Sequence, residues 1–218
     1  MQNENFIAKD GSVNYDFLIS KFSWLVEDNL PSIVSPDTDG ILCGLFMTHY
    51  LNWNIVGFYD GKQLAIRHDI HPEDCIFMDM EIFRREVKST GHHMLLYNKN
   101  YIPGNWGNFS NCVNPNILRS HDVSRNFKEK YPFGMIHFLI SVVSFKKEVE
   151  VPETAIPALL YADGTFKNLL NYPENCVSWL NFLRVKDSRS PMYPFYLLFA
   201  KIKLASMIHD LENIFSSF

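Results

Sequence analysis

The stretch from Ser35 to Gly40, sequence SPDTDG, constrains the fold most strongly because it places two carboxylates in one tight turn. A short apolar run precedes it and a longer one, Ile41 to Leu51, follows it, which predicts the turn between a β-strand and a helix. Two unpaired charges about 5 Å apart repel by on the order of 3 kcal/mol at an effective dielectric of about 20. A divalent cation would offset this repulsion. These residues alone leave another reading open, in which Asp37 caps the helix and Gly40 relaxes the turn.

The apolar runs around this turn predict an α/β domain with a parallel sheet and helices on both faces. Strands are predicted at 32–34, 53–59 and 75–78, and helices at 15–29, 41–51, 82–88, 133–145, 176–183 and 194–215. A strand, helix, strand unit of this length implies parallel pairing. The 218 residues suffice for one domain, assigned to residues 1–218 with its core at 32–170, an N-terminal helix and a C-terminal helical extension.

Composition excludes several classes of protein. The polar N-terminus lacks the pattern of a secretory signal, and the longest apolar run, 133–145, is too short to span a bilayer. The four cysteines are far apart, which predicts reduced core residues rather than a zinc knuckle or disulfides. A net charge of -4 argues against a protein that coats nucleic acid with its whole surface. We expect a soluble, cytoplasmic protein.

Further candidate ligands follow other apolar segments. Asp79 comes after the strand predicted at 75–78, His92 and His93 follow a Ser-Thr-Gly turn, and Asp163 follows the apolar segment 156–162. Open parallel sheets bind ligands outside the carboxyl ends of their strands, so these groups and the first turn are expected to share a crevice. Carboxylates and imidazole together suit Mn²⁺ or Mg²⁺. Each group also has a structural alternative, such as a helix cap for Asp79 or a surface turn for Asp163.

A long connection at 98–130 is rich in Asn, Gly and Pro and ends in a basic group that includes Arg119 and Arg125. Long connections of this kind are often functional. The basic group predicts either a phosphate-binding rim beside an anionic metal site or an ordinary solvated face.

The motifs occur in a suggestive order: the Pro-Asp-Thr-Asp turn, Asp79, Gly91-His92-His93, Asn114-Pro115-Asn116, Phe133-Gly134-Met135 and Asp163. This order, over roughly residues 32–170, resembles the motifs of the DHH phosphoesterase superfamily, and most closely its RecJ-like single-strand exonucleases. The opening turn is also similar to that of the family II inorganic pyrophosphatases.

The resemblance implies a site with two Mn²⁺ or Mg²⁺ ions. Asp79 would bridge the ions, Asp37 would bind one ion, and Asp39, His92 and Asp163 would bind the other. His93 would contact the scissile phosphate, so the implied catalytic residues are Asp79, His92 and His93. Independently of the resemblance, Arg119 and Arg125 of the basic group are expected to contact the substrate, together with Asn114 of the Asn-Pro-Asn motif. A two-metal site activates water and stabilises charge on phosphoryl oxygens, which implies phosphodiester or phosphoanhydride hydrolysis.

Three departures from the family pattern bear on activity. Gly91 stands where the family has the motif Asp, which removes a carboxylate beside the ligating histidine. Ile33 stands where pyrophosphatases and nanoRNases have a metal-binding His, which argues against those branches. Family members usually carry a second, C-terminal substrate-binding domain, and we expect that these 218 residues leave no room for one.

We therefore expect a metal-dependent phosphodiesterase that acts on single-stranded nucleic acid or short oligonucleotides. Two alternatives stay open: a non-catalytic RecJ-like binding or scaffold subunit, and an enzyme that hydrolyses a cyclic or linear dinucleotide. The final predicted helix either closes the core or docks a protein partner or a second copy of the chain.

Overall fold

A six-stranded sheet forms the centre of the computed structural model, which describes residues 3–124 and 127–201. Its strands are β1 (Pro31–Val34), β2 (Asn54–Tyr59), β3 (Leu64–Ile66), β4 (Ile76–Met78), β5 (Lys88–Thr90) and β6 (Cys112–Val113). They are ordered β3-β2-β1-β4-β5-β6, and every pair is parallel except β2 with β3. The predicted α/β class with a mainly parallel sheet is confirmed.

Among the described residues, one α-helix precedes the sheet, one lies between β1 and β2, and the others follow β6. The α-helices are α1 (Tyr15–Lys21), α2 (Thr38–Leu51), α3 (Pro115–Leu118), α4 (Met135–Val143), α5 (Ile156–Tyr161), α6 (Thr165–Asn171), α7 (Pro173–Phe182) and α8 (Tyr193–Lys201). Shorter 3-10 helices occur at Asn3–Phe6, Ser23–Val26, Pro72–Asp74, Trp106–Phe109, Phe127–Glu129, Glu153–Ala155 and Ala162–Gly164. Among the residues described, no helix is long and apolar enough to cross a bilayer.

The two faces of the sheet are covered differently. The main core lies on the face that carries α2 and α4, and it includes Val34, Met78 and all of the apolar side chains of α4. The opposite face carries a smaller cluster around Ile33 and Phe77. In the described part of the chain, connecting segments rather than α-helices complete this smaller cluster. The expected helices are therefore found on one face of the sheet and not on the other.

The order of the strands reverses beside β1. The chain leaves β1 toward β2 on one side, and later passes from β4 to β5 and β6 on the other side. Such a reversal in an open parallel sheet opens a crevice at the carboxyl ends of the two central strands. The carboxyl ends of β1 and β4 therefore define the place where a ligand is expected.

Tertiary pairing overrides local propensity in several segments. The helix predicted at 82–88 does not form, because Met80 N–H donates to the Thr90 carbonyl (2.7 Å) and Ile82 N–H donates to Ser89 Oγ (3.2 Å), which folds the segment back onto β5. Strands β3, β5 and β6 were not predicted. The helix predicted at 15–29 is α1 followed by a 3-10 turn. Of the helix predicted at 194–215, residues beyond 201 lie outside the described residues.

Candidate metal centre

Four acidic and imidazole side chains converge at the crevice. Asp39 comes from the first turn of α2, Asp79 directly follows β4, His92 follows β5, and Asp163 comes from the turn between α5 and α6. One ligand atom from each of the four lies within 4.8 Å of the others. The folded chain thus brings these separated motifs together at one place, as the sequence predicts.

Asp37 lies beside this group as the N-cap of α2. Its Oδ1 accepts hydrogen bonds from Gly40 N–H and Ser35 Oγ, both at 2.9 Å. Ser35 Oγ is also 2.9 Å from Asp79 Oδ2. A hydroxyl carries only one proton, so the second contact needs a proton on one of the carboxyls. Both readings of Asp37 are therefore compatible with its position: it caps the helix and it is linked to the cluster through Ser35.

Asp39 is held by the beginning of another helix. Its two carboxylate oxygens accept hydrogen bonds from the backbone N–H groups of Met135, and of Ile136 at 3.0 Å, in the first turn of α4. Free N–H groups at a helix N-terminus favour an anion. Burial raises the pKa of Asp39, while the charge of His92 and these amide hydrogen bonds act in the opposite direction.

Gly134 makes this approach possible. A Cβ atom at Gly134 would lie 2.9 Å from the carboxyl atoms of Asp39, closer than real Cβ atoms come to any neighbour. The glycine therefore lets the N-terminus of α4 lie directly against Asp39.

Asp79 is a buried carboxyl whose pKa is strongly raised. It is 4% exposed, and burial, followed by the charges of Asp39, Asp163 and Asp37, raises its pKa to about 10. Its backbone is left-handed with φ of 61°, and that of Asp163 is too, with φ of 48°. Such φ values are uncommon outside glycine and are concentrated at functional sites. The backbone strain accordingly falls on two of the four converging residues.

The histidines share Asp163. His92 Nε2 is 2.9 Å and His93 Nε2 is 3.4 Å from the same oxygen, Asp163 Oδ2. Burial alone would raise the pKa of Asp163, but hydrogen bonds from His92 and His93 outweigh it and the pKa is lowered. The hydrogen bond to Asp163 raises the pKa of His93. The His93 side chain is 56% exposed, so it faces the open crevice, whereas His92 is buried.

Two buried polar atoms of the cluster have no hydrogen-bond partner among the described residues. These atoms are Asp79 Oδ1 and His92 Nδ1, and they lie 3.9 Å apart. That separation is too long for a hydrogen bond. It is short enough for one metal ion to bind both atoms, since each metal–ligand bond is about 2.1 Å long. Buried polar groups are normally paired, so this gap fits a cation. Asp39, Asp79, His92 and Asp163 can therefore hold a metal ion.

Glu81 occupies the space beside Gly91. A Cβ atom at Gly91 would lie 2.7 Å from the Glu81 carboxyl carbon. Glu81 Oε1 accepts hydrogen bonds from Met94 N–H (2.8 Å) and from Asn114 Nδ2 (3.0 Å). A carboxylate thus still lies against the histidine-bearing turn, although it comes from the segment after β4 instead of from position 91.

The residues predicted to bind substrate have different surroundings. Asn114 stabilises the histidine-bearing turn from inside the protein, since its Nδ2 also donates to the Met94 carbonyl (2.9 Å). Arg119 donates to Ser178 Oγ (3.3 Å) and lies 4.7 Å above the ring of Trp179, so it packs on α7 and not in the metal cluster. The fold therefore does not place Arg119 in the predicted phosphate-binding rim. Arg125 lies outside the described residues. Of the members of this predicted group that the structure describes, only His93 reaches the cluster.

Sequence reasoning gave no role in the site to Ser35, to Glu81 or to the amides of α4, although it singled out the Phe133-Gly134-Met135 motif where that helix begins. Ser35 and Glu81 each lie two residues from an assigned aspartate, and this proximity is the one signal that marks them. For the amides of α4, the glycine of that motif is the signal, since it lets the helix lie against Asp39.

Comparison of the chain with protein family models, with curated proteins and with solved structures finds no match to any of them. The fold and the site therefore define this molecule as an α/β protein with a carboxylate–histidine cluster that can hold a metal ion.

Proposed function

We propose that this protein is a metal-dependent phosphodiesterase that hydrolyses single-stranded nucleic acid or short oligonucleotides, with two Mn²⁺ or Mg²⁺ ions. The observation that carries the proposal is the convergence of Asp39, Asp79, His92 and Asp163 around two unpartnered buried atoms in the crevice. The resemblance of the motif order to RecJ-like phosphoesterases supports the same chemistry.

Oxygen and imidazole donors suit Mn²⁺ and Mg²⁺. The four clustered residues would hold one ion, and Asp37, linked to Asp79 through Ser35, would complete a place for a second. Bound divalent ions supply Lewis acidity, which lowers the pKa of water and neutralises charge on the transferring phosphoryl group.

The residues of the chain supply position and protons. Amides of α4 fix the Asp39 carboxylate, and Glu81 fixes the turn that carries the histidines. His93 has a pKa that its contact with Asp163 raises, and an exposed side chain; because its Nε2 faces Asp163, Nδ1 of the imidazolium is the atom that would donate a hydrogen bond or a proton to an oxygen of a bound phosphate. Asp163 stabilises that imidazolium through its Oδ2.

Exposed aromatic side chains in the chain segment that follows His93 favour a single-stranded substrate. Tyr97 is 78% and Tyr101 is 80% exposed, and both belong to the segment that follows the histidines. Unpaired bases stack on aromatic rings, and this contribution does not need a strongly basic surface. A duplex, by contrast, would require extensive neutralisation of phosphates, which a chain with net charge -4 does not favour.

A non-catalytic nucleic-acid-binding subunit is the second candidate function. The observation that favours it is Gly91, which stands where the family has the motif Asp beside the ligating histidine, with Glu81 in the adjoining space.

Hydrolysis of an end-labelled single-stranded oligonucleotide separates the two. The purified protein is incubated with Mn²⁺, with Mg²⁺ or with a chelator, next to Asp79→Asn and a control, Asp16→Asn, which changes an exposed carboxylate on α1. The proposal expects metal-dependent cleavage that is lost in Asp79→Asn and kept in Asp16→Asn. Binding of the oligonucleotide without cleavage under every metal condition would refute catalysis and favour the binding subunit.

A further inference from the structure

A cavity of about 460 Å³ lies on the β6 side of the sheet, outside the metal cluster. Its walls come from the connection between β5 and β6, from β6 and α3, and from the N-terminal segment around Phe6 and Phe22. Cavities that hold small organic ligands have volumes of roughly 300–1,000 Å³. The cavity is therefore large enough for a ligand of that class.

Aromatic rings form much of its wall. Trp106 and Phe109 meet edge to face at 5.1 Å, and Phe109 is held from behind by Phe83 at 4.8 Å. Phe6 and Phe22 line it from the N-terminal segment. Rings that are already packed against each other offer a fixed surface to a flat ligand, at little cost in side-chain entropy.

The charged side chains that line the cavity, among the described residues, are basic. Lys21 and Lys99 line the cavity, and no Asp or Glu does so among the described residues. Within the same part of the chain neither lysine forms an ion pair; Lys21 lies instead over the rings of Phe6 and Phe22, at 5.0 and 5.4 Å. His121 also lines the cavity, is 5% exposed, and has an Nδ1 without a partner. In a chain of net charge -4, this lining selects for an anion with a flat ring.

The cavity adjoins the metal cluster along the chain. Leu96, which lines it, is three residues from His93, so their Cα atoms are at most about 11 Å apart. Asn114 lines the cavity and also donates to Glu81 and to the Met94 carbonyl. One asparagine thus contacts both the cavity and the histidine-bearing turn.

We propose that this cavity binds one nucleotide, with its base against Trp106 and Phe109 and its phosphate toward Lys21 and Lys99. The proposal rests on the proposed function in one respect, namely that this nucleotide is a unit of the strand whose neighbouring phosphate lies at the metal cluster. It assigns the cavity as the site that distinguishes a nucleotide substrate from a simple phosphate ester.

The test is calorimetric titration of the full chain with adenosine 5′-monophosphate in the presence of chelator, so that no metal ion contributes. Adenosine and inorganic phosphate are titrated separately. The variants are Trp106→Leu, which removes the ring, and Lys99→Gln, which removes one charge and leaves the aromatic wall intact. Lys62→Gln, on the exposed turn between β2 and β3, is the matched control.

We expect the mononucleotide to bind the parent and Lys62→Gln equally. Affinity should fall about tenfold or more in Trp106→Leu, as for loss of a base–aromatic stack, and severalfold in Lys99→Gln. Adenosine and phosphate should each bind more weakly than the mononucleotide. Absence of mononucleotide binding, equal affinity in both test variants and the parent, or phosphate binding as tight as mononucleotide binding would overturn the proposal.

Asp79→Asn keeps this test separate from the test of catalysis. The cavity proposal expects Asp79→Asn to bind the mononucleotide as the parent does, whatever its hydrolytic activity. Mononucleotide binding that depends on Trp106, in a protein that cleaves no strand, would support the cavity and refute the proposed function. Metal-dependent cleavage by a protein that binds no mononucleotide would refute the cavity alone.

Discussion

Replacement of Asp79 by asparagine tests the metal centre through stability, without any need for a substrate. Asparagine tolerates the left-handed backbone of this position better than alanine does, so the fold should survive. The substitution removes the carboxylate that the cluster would use to hold an ion. The same change also removes a carboxyl whose ionisation is costly in the absence of metal, so the substitution should have opposite effects on stability with and without metal.

The effect without metal follows from the raised pKa of Asp79. Its pKa in the folded chain is about 10, against an ordinary value of 3.8. The unfolded chain therefore loses this proton first, and the folded chain holds more protons at intermediate pH. The free energy of unfolding that the protonated carboxyl contributes is fully present below about pH 4. It is lost as pH rises toward 10, by up to about 1.4 kcal/mol per pH unit. Asp79→Asn should lose less stability than the parent between pH 5 and pH 8.

The effect with metal has the opposite sign. An ion at about one hundred times its dissociation constant stabilises a folded protein by about 2.7 kcal/mol. For a chain of this size that raises the melting temperature by about 5–10 °C. Without the ion, Asp79 keeps its proton because burial and the neighbouring carboxylates disfavour its ionised form, and a bound ion takes the place of that proton.

Scanning calorimetry with chelator and with Mn²⁺, at pH 5 and pH 8, measures both effects. The parent and the control Asp16→Asn should show the metal-dependent rise in melting temperature, and Asp79→Asn should show none. An equal rise in Asp79→Asn and the parent, or no rise in the parent at any Mn²⁺ concentration, would refute the assignment of this cluster as a metal site.

Three further substitutions test separate parts of the site. Glu81→Ala should weaken Mn²⁺ affinity about 10- to 100-fold, because the histidine-bearing turn loses the carboxylate that accepts its backbone N–H; a metal titration measures this, with Glu81→Gln retaining most of the affinity. Gly134→Ala should destabilise the protein by about 1–3 kcal/mol in urea unfolding, because its Cβ would overlap a buried carboxyl, whereas Gly104→Ala, with open space around its Cβ, should cost far less. Arg119→Ala should lower stability by about 1–2 kcal/mol through loss of its contact with the ring of Trp179, and should leave oligonucleotide affinity unchanged.

Each of these predictions has a contrary outcome. Parental Mn²⁺ affinity in Glu81→Ala would mean that the turn is held without this carboxylate. Equal unfolding curves for the two glycine variants would mean that the close approach of α4 to Asp39 is not required. A selective loss of oligonucleotide binding in Arg119→Ala, at parental stability, would restore this residue to the phosphate rim predicted from the sequence.

Local signals account for the parts of the site that the sequence predicted. The strand, turn and helix around Asp37 and Asp39 follow from short-range apolar periodicity, an N-cap and a glycine, all close together in the chain. Asp79 was recognisable because it directly follows a buried strand. Its place in the crevice followed from the general rule that parallel strands present their carboxyl ends at one edge.

Contacts between distant segments decided the rest. Strand β5 has only three residues and β6 only two, so neither has a periodic pattern, and both form because a neighbouring strand supplies hydrogen bonds. The helix expected at 82–88 does not form because that segment folds back onto β5 instead. Arg119 was assigned from charge alone, and charge does not reveal that a neighbouring helix offers an aromatic ring to cover it.

By itself the sequence determined which residues could serve as ligands, the α/β class, and the strand ends that present the first carboxylates. The tertiary structure alone decided that Asp39 meets the amides of α4, which begin 96 positions further along the chain, and that Glu81 fills the space left by Gly91. It also decided that Asp163 receives both histidines. The physical reason is that hydrogen-bond partners and burial depend on what packs against a side chain, and those neighbours are set by the closure of the whole fold.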